Sequence, residues 1–295
     1  MSTTSRSDIL KGSLAMAACA VLWSTAGLFI KLVPWHSLAV AGGRSLISFV
    51  FLLIVIRRPR FTFSGPQIGA ALTNAVTMLL FVYANKATTS ANAILLQYGS
   101  PIYVAIIGAV LLKEKPRAEH WAALAAVAVG MGLLFASGLG GGSTLGNLAA
   151  ALAGLTFALY IVFMRMQKEG SPLESTILAH LLTAIVAFAL LGLMDGRGGA
   201  SFPRPADFSP IAIAAILGLG LLQVGLASVF FSYGIKRVSA IESTLIGVIE
   251  PVLNPVWVFL ATREAPAGRA LAGGLVIVLA VIGSSVVSAR REARA

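Results

Sequence analysis

The sequence predicts an all-α integral membrane protein of ten transmembrane helices, built as two inverted five-helix repeats. Three observations carry this. First, the 295 residues are 58% hydrophobic and only 11% charged, with a mean hydropathy of +0.90. Second, the apolar residues fall in runs of roughly 20, long enough for a helix to cross a hydrocarbon core of ~30 Å. Third, YANKATTSANAILLQYGSPIYVAIIGAVLLKEKP (83–116) returns 150 residues later as YGIKRVSAIESTLIGVIEPVLNPVWVFLATREAP (233–266). In lipid every backbone polar group needs an internal partner, so a helix bundle is the expected solution.

Ten segments can be drawn in order: 12–32, 37–56, 67–84, 91–112, 119–136, 146–166, 174–194, 211–231, 241–262 and 268–288. The first is too long and continuous for a signal peptide and has no convincing cleavage site at its end, so it reads as a retained helix. The second carries Arg44, the third Asn74, and the fourth and ninth contain the duplicated stretch. The sixth opens GNLAAALAGLTFALYIVFMR, echoing GSLAMAACAVLWSTAGLFIK of the first at an offset of 134. The Gly-rich run 138–142 separates them. The expected organisation is therefore a repeat at 1–137, a junction at 138–145 and a second repeat at 146–295.

Aligned without a gap, the duplicated stretch pairs Tyr83, Lys86, Leu95, Pro101, Glu114 and Pro116 with Tyr233, Lys236, Leu245, Pro251, Glu264 and Pro266. Six identities in 34 positions is faint, but the types are informative: a basic residue, a proline inside an apolar run, then Glu-x-Pro. A proline in a long apolar helix leaves a carbonyl without its partner and kinks the chain. Matching breaks in two halves point to the central site of a transporter. Pro101, Pro251 and Pro255 are therefore the candidate hinges.

The net charge of +11 would suggest nucleic acid in a soluble chain. Here it reads as topology, and no nucleic-acid partner is expected. With a cytoplasmic N-terminus, 15 basic residues fall inside, among them Arg57, Arg58, Arg60, Lys113, Lys115, Arg165, Lys236 and Arg237. Six fall outside: Lys31, Lys86, Arg197, Arg204, Arg263 and Arg269. The positive-inside rule then puts both termini in the cytoplasm. Five helices per half is odd, so the second half enters upside down, with Glu114 cytoplasmic and Glu264 external. Inverted repeats of this kind allow alternating access to a site near the bilayer midplane. The single Cys19 lies in an apolar run, which excludes a disulfide framework and a cysteine metal cluster.

Trp23-Ser24 with Lys31, Arg44 opening RSLISFV, the 83–116 stretch, YGIKRVSAIESTLIGVIEPVLNPVW and Arg263-Glu264 together resemble the EamA family of the drug/metabolite transporter superfamily, over nearly the whole chain. Within it the chain is most similar to YddG-type amino acid exporters of bacterial inner membranes. The resemblance implies two five-helix domains, an inner-membrane location and efflux of aromatic and other neutral amino acids and related metabolites.

Polar groups at membrane depth usually face a cavity or a partner. Arg44 is a candidate clamp for a substrate carboxylate, or else a structural ion pair or a snorkelling charge. His180 stands at nearly the equivalent place in the seventh segment and could relay protons or simply pack between helices. Glu250 before Pro251 could bind an ammonium or a proton, or accept bonds from backbone freed by the breaks. Glu242 reads as a solvated mouth residue beside Lys236 and Arg237. Trp23, Asn74, Gln97, Tyr98, Tyr103, Tyr160, Asn254 and Trp257 complete the candidate cavity lining, since an amino acid pocket needs aromatic walls and a few convergent polar groups. Each aromatic could equally fill the bundle. Trp35 and Trp121 read as interfacial anchors.

No Ser-His-Asp set, HExxH, Walker loop or dinucleotide fingerprint occurs, and GLGGG lacks the strand–helix context of a phosphate loop. No enzyme activity, metal or cofactor is expected, and transport would be facilitated or ion-coupled. The expected function is export of amino acids through a central cavity, by a protein able to work as a monomer in the bilayer. The alternatives are a drug or organic-cation exporter, a sugar-phosphate or nucleotide-sugar exchanger, and a membrane scaffold without flux.

Overall fold

A computed structural model describes residues 6–135, 142–170, 172–196, 202–262 and 268–292; the side chains of 6, 90, 91, 254, 255, 258, 259, 261, 262 and 289–292 are outside the description. The run 138–141 of the expected junction, and Arg263 and Glu264, also lie outside it. The helices are α1 (Arg6–Trp23), α2 (Ala26–Leu32), α3 (Ser37–Ile56), α4 (Gly65–Ala87), α5 (Ser90–Gln97), α6 (Ser100–Leu111) and α7 (Ala118–Phe135). There follow α8 (Thr144–Met166), α9 (Pro172–Asp195), α10 (Pro210–Leu217), a π-helical stretch Gly218–Leu226, α11 (Ala227–Ile235), α12 (Ala240–Gly247), α13 (Ile249–Thr262) and α14 (Gly268–Glu292). No strand occurs among the described residues. Nine stretches there are long and apolar enough to cross a membrane. They match nine of the expected segments; the remaining one, 241–262, is present as the two short helices α12 and α13.

Leu and Ile side chains stand exposed along the outward faces, for example Ile54, Ile106, Ile185, Leu275 and Leu279. A soluble monomer does not display apolar surface on this scale. Lipid is the environment that accommodates it. Arg44, in contrast, is only 1% exposed although it lies within α3.

Interruptions divide three spans. α5 ends at Gln97 and α6 starts at Ser100, with Pro101 in its first turn. α12 ends at Gly247 and α13 starts at Ile249, placing Pro251 in its first turn too. The breaks are thus complete and lie about one turn before each proline, whereas the sequence suggests kinks at the prolines themselves. The reason is that the first turn of a helix has no intrahelical use for its N–H groups, so proline fits there and favours a new start. Pro255 lies along α13. A third break separates α1 from α2. Ser24 and Thr25 there turn their hydroxyls back onto the carbonyls of Val21 (2.5 Å) and Leu22 (2.7 Å), offering the backbone a local alternative to the helical ladder.

The contacts between helices exchange when the halves are exchanged. α4 packs on α8, and α11 on α1; α3 packs on α9, α6 on α12 and α7 on α14. Glycines show the same relation in detail. A Cβ on Gly12 would lie 2.6 Å from Arg237 and 3.3 Å from Val238; one on Gly146 would lie 3.0 Å from both Ala87 and Thr88. Gly12 and Gly146 are the paired openings of the first and sixth segments, and 237 and 238 are 87 and 88 shifted by 150. α7 and α14 cross even more closely. A Cβ on Gly130 would meet Gly273 O at 2.8 Å, and one on Gly273 would meet Gly130 O at 2.5 Å. Small residues at such crossings let membrane helices pack backbone to backbone.

Candidate functional site

Eight spans converge on a cavity in the middle of the bundle. It is lined by Trp23 of α1, Arg44 of α3, Asn74, Met78 and Phe81 of α4, Gln97 of α5, Phe157 and Tyr160 of α8, His180 of α9, Gln223, Val224 and Ser228 of the eighth expected segment, and Glu250 of α13. The open space is about 40 Å³, room for a few waters.

One side of the cavity is polar and incompletely bonded. Arg44 donates from Nη1 to Gln223 Oε1 at 3.4 Å and from Nη2 to the Met78 sulfur at 3.2 Å. Its Nε has no partner, and no carboxylate lies within ion-pair distance among the described residues. Asn74 Oδ1 and both ring nitrogens of His180 are also buried without partners. Buried polar groups are almost always hydrogen-bonded, and a buried charge without a carboxylate is costly. A buried guanidinium with an unused N–H, beside an imidazole that has a ring N–H to give, is therefore the chemistry of an anion-accepting pocket. Arg44 neither snorkels nor sits in a structural ion pair among the described residues.

A second wall is aromatic. Trp23 lies 5.5 Å from Phe157 and 5.4 Å from Phe231; Tyr160 lies 6.2 Å from Phe157 and 5.5 Å from Phe231. Tyr160 also bonds Thr176 Oγ1 through its hydroxyl at 3.1 Å, so its ring is fixed in place.

The third wall is where two interrupted helices meet. Tyr98 caps α5, and its Oη lies 2.7 Å from Glu250 Oε2 and 2.9 Å from Gly247 O. The duplicated stretches thus face one another across the bundle, as their sequences suggest. Gln97 reaches the cavity from the same break, with its carbonyl 2.7 Å from where a Cβ of Gly154 would stand. Only a glycine at 154 lets α8 come this close.

Two expected lining residues are elsewhere. Tyr103 packs over Gly99 at the α5–α6 break and is not among the residues lining the cavity. Trp257 donates from Nε1 to Ser24 Oγ at 2.7 Å, tying α13 to the α1–α2 break. The Asn254 and Pro255 side chains lie outside the described residues. Glu242 forms a capping box with Ser239 at the start of α12 and is half-buried there. Trp35 donates to Asp207 O at 3.0 Å and meets the Phe208 ring at 4.9 Å in a tilted contact, holding the 202–209 loop.

Sequence reasoning left Met78, Phe157 and Ser228 out of the site and counted Gln223 only as a polar group at membrane depth. The available signal for Gln223 was a lone amide in GLGLLQVGL; its placement depends on the π-helical winding, which shifts the facing residue and recurs at functional sites. A second unforeseen cluster closes the end of the bundle carrying Lys113, Lys115 and Arg165. Glu114 Oε1 accepts from Arg165 Nε at 2.8 Å, and Glu114 Oε2 accepts from Ala240 N at 2.9 Å. Arg165 also donates to Ile235 O at 2.9 Å. The anion thus caps the N-terminus of α12 and the cation the C-terminus of α11, each at the helix end whose partial charge it complements.

A polytopic helical bundle with a polar, aromatic-walled cavity at its centre and interrupted helices on that cavity is the architecture of a membrane transporter. The profile of the EamA-like transporter family matches residues 10–136 and 144–286, and the chain belongs to that family, within the drug/metabolite transporter superfamily. It is similar to an uncharacterized transporter of Archaeoglobus fulgidus, 27% identical over 276 residues that cover 92% of this chain and 95% of the relative. It is also similar to the pseudopaline exporter CntI of Pseudomonas aeruginosa, 23% identical over 247 residues, 82% of this chain and 84% of that one. A solved crystal structure shares the fold at a TM-score of 0.79 and 21% identity, covering 95% of this chain and 98% of its own.

Proposed function

We propose that this transporter exports neutral, chiefly aromatic, amino acids and related small metabolites by alternating access. Two inverted five-helix halves, 1–137 and 146–295, rock about the central cavity of a ten-helix monomer. The observation that carries the cargo is the buried, carboxylate-free Arg44 beside the unpartnered Asn74 and His180, opposite Glu250 and against an aromatic wall. A zwitterion with an aromatic side chain satisfies all three walls. Its carboxylate meets the guanidinium, its ammonium meets Glu250, and its ring enters the Trp23–Phe157–Tyr160 side.

The symmetric glycine contacts and the exchange of helix pairs support the inverted repeat. The cavity volume of about 40 Å³ is too small for an amino acid, so loading requires the halves to separate. The Glu114–Arg165 cluster lies at the end rich in basic residues, which the positive-inside rule makes cytoplasmic; this state is then closed to the cytoplasm. Both termini are placed in the cytoplasm of a bacterial inner membrane. The relative named as an exporter supports the outward direction.

A second reading, export of organic cations, is favoured by one observation: Glu250 and the aromatic wall together could hold a cation without Arg44. Purified protein in liposomes preloaded with unlabelled substrate decides between them. Counterflow of labelled phenylalanine and other neutral amino acids is expected; counterflow of cations alone, with none for any amino acid, refutes the primary reading.

A further inference from the structure

The three atoms at the meeting point of the interrupted helices cannot all be satisfied by the hydrogens that an ionised Glu250 leaves available. Tyr98 Oη is within bonding distance of two acceptors, Gly247 O at 2.9 Å and Glu250 Oε2 at 2.7 Å, and a phenol has one hydrogen to give. If Glu250 is a carboxylate, the phenol hydrogen goes to one acceptor and the other loses its partner. If Glu250 carries a proton, the arrangement closes. Glu250 donates to Tyr98 Oη, Tyr98 donates to Gly247 O, and each contact holds a hydrogen.

The surroundings favour a site that exchanges its proton. Glu250 is the one carboxylate among the residues lining the cavity, so it is reached from the cavity. No Lys, Arg or His lies within ion-pair distance of it among the described residues. The titratable groups facing it are Tyr98 from α5 and Cys19 from α1, with Arg44 of α3, Tyr160 of α8 and His180 of α9 around the same cavity. Lys31 of α2 and Arg269 of α14, on the other helices packed against α13, are exposed to the outside of the bundle. The cation that would neutralise an ionised Glu250 is therefore not supplied by these neighbours. It must come from a proton or from the cargo.

We propose that Glu250 is the coupling site for a proton, which leaves the carboxyl as the substrate's ammonium arrives, so that transport is proton–substrate exchange. This rests on the amino acid reading above. The balance is simple: the Glu250 O–H bond breaks, the proton passes through the cavity to water, and the carboxylate pairs with the ammonium. Tyr98 is a positioning residue. With Glu250 protonated, its bridge ties the α5–α6 break to the α12–α13 break; when the proton leaves, one link is lost and the halves are freed to move.

The test uses the full-length protein in vesicles clamped at zero membrane potential, with an acidic lumen and labelled phenylalanine outside. Accumulation of about tenfold per pH unit is expected, the ratio set by one proton exchanged per substrate, and Glu250→Gln should abolish accumulation. Should that variant carry no flux, wild-type phenylalanine binding in detergent, measured in two buffers of different ionisation enthalpy, decides by whether protons are released. Wild-type flux that merely equilibrates, proton-free binding, or full accumulation by Glu250→Gln overturns the coupling while leaving the amino acid reading intact. No phenylalanine flux of any kind overturns both.

Discussion

Replacing Arg44 by methionine separates a substrate clamp from a structural arginine, because the two roles predict opposite effects on stability. The native guanidinium is 1% exposed, and its two bonds are long, 3.4 Å to an amide oxygen and 3.2 Å to a sulfur. Such contacts offset little of the cost of burying a charge. Exchanging buried ionic groups for apolar ones of similar size is often neutral or stabilising by about 1–4 kcal/mol. Arg44→Met should therefore melt at or above the wild-type temperature in detergent. Transport should suffer instead. A charge-assisted hydrogen bond contributes about 1.5–3 kcal/mol, so losing one to the substrate carboxylate weakens half-saturation by roughly 10- to 150-fold. The assays are fluorescence-monitored melting and the concentration dependence of phenylalanine counterflow. A variant that melts well below wild type, yet transports with unchanged half-saturation, would refute the reasoning.

Three further outcomes follow from the same structure. Glu114→Ala strands Arg165 and uncaps α12; since this pair is partly exposed, the expected cost is ~1 kcal/mol. That should raise cytoplasmic-side maleimide labelling of a Ser228→Cys reporter, in a Cys19→Ser background, by about fivefold. Gly130→Leu drives side-chain atoms into Ile277 and the Gly273 carbonyl, from which even a Cβ would stand 2.6 and 2.8 Å. It should destabilise by about 1–3 kcal/mol or more, read as a lowered melting temperature, whereas Gly132→Leu, with open space around it, should not. Tyr98→Phe keeps the aromatic ring but removes the bridge between the two breaks, and should reduce the phenylalanine accumulated at a fixed pH gradient without abolishing counterflow.

Much of this architecture is legible in the sequence because lipid imposes a coarse code. The bounds of α3 at 37–56 follow from apolar run length alone, and the 83–116 echo correctly brings Tyr98 and Glu250 together. What escapes is whatever depends on winding and rotation. The α1–α2 break rests on two hydroxyls that compete with the helix ladder, and no proline announces it. Gln223 turns towards Arg44 within a π-helical stretch that a 3.6-residue period does not foresee. Tyr103 and Trp257 are aromatic and at the right depth, yet Tyr103 lies over Gly99 and Trp257 bonds Ser24. The Glu114–Arg165 pair is separated by 51 residues and could not be read from spacing.

The central claim is that one cavity binds both ends of an amino acid, the carboxylate at Arg44 and the ammonium at Glu250. The most direct measurement is inhibition of phenylalanine counterflow by two truncated relatives, phenethylamine, which lacks the carboxylate, and 3-phenylpropionate, which lacks the amine. Two anchoring poles predict that each inhibits at least about tenfold more weakly than unlabelled phenylalanine, the factor that one lost charge-assisted bond sets. Inhibition by phenethylamine as strong as by phenylalanine would contradict the claim and establish a cation site at Glu250 alone.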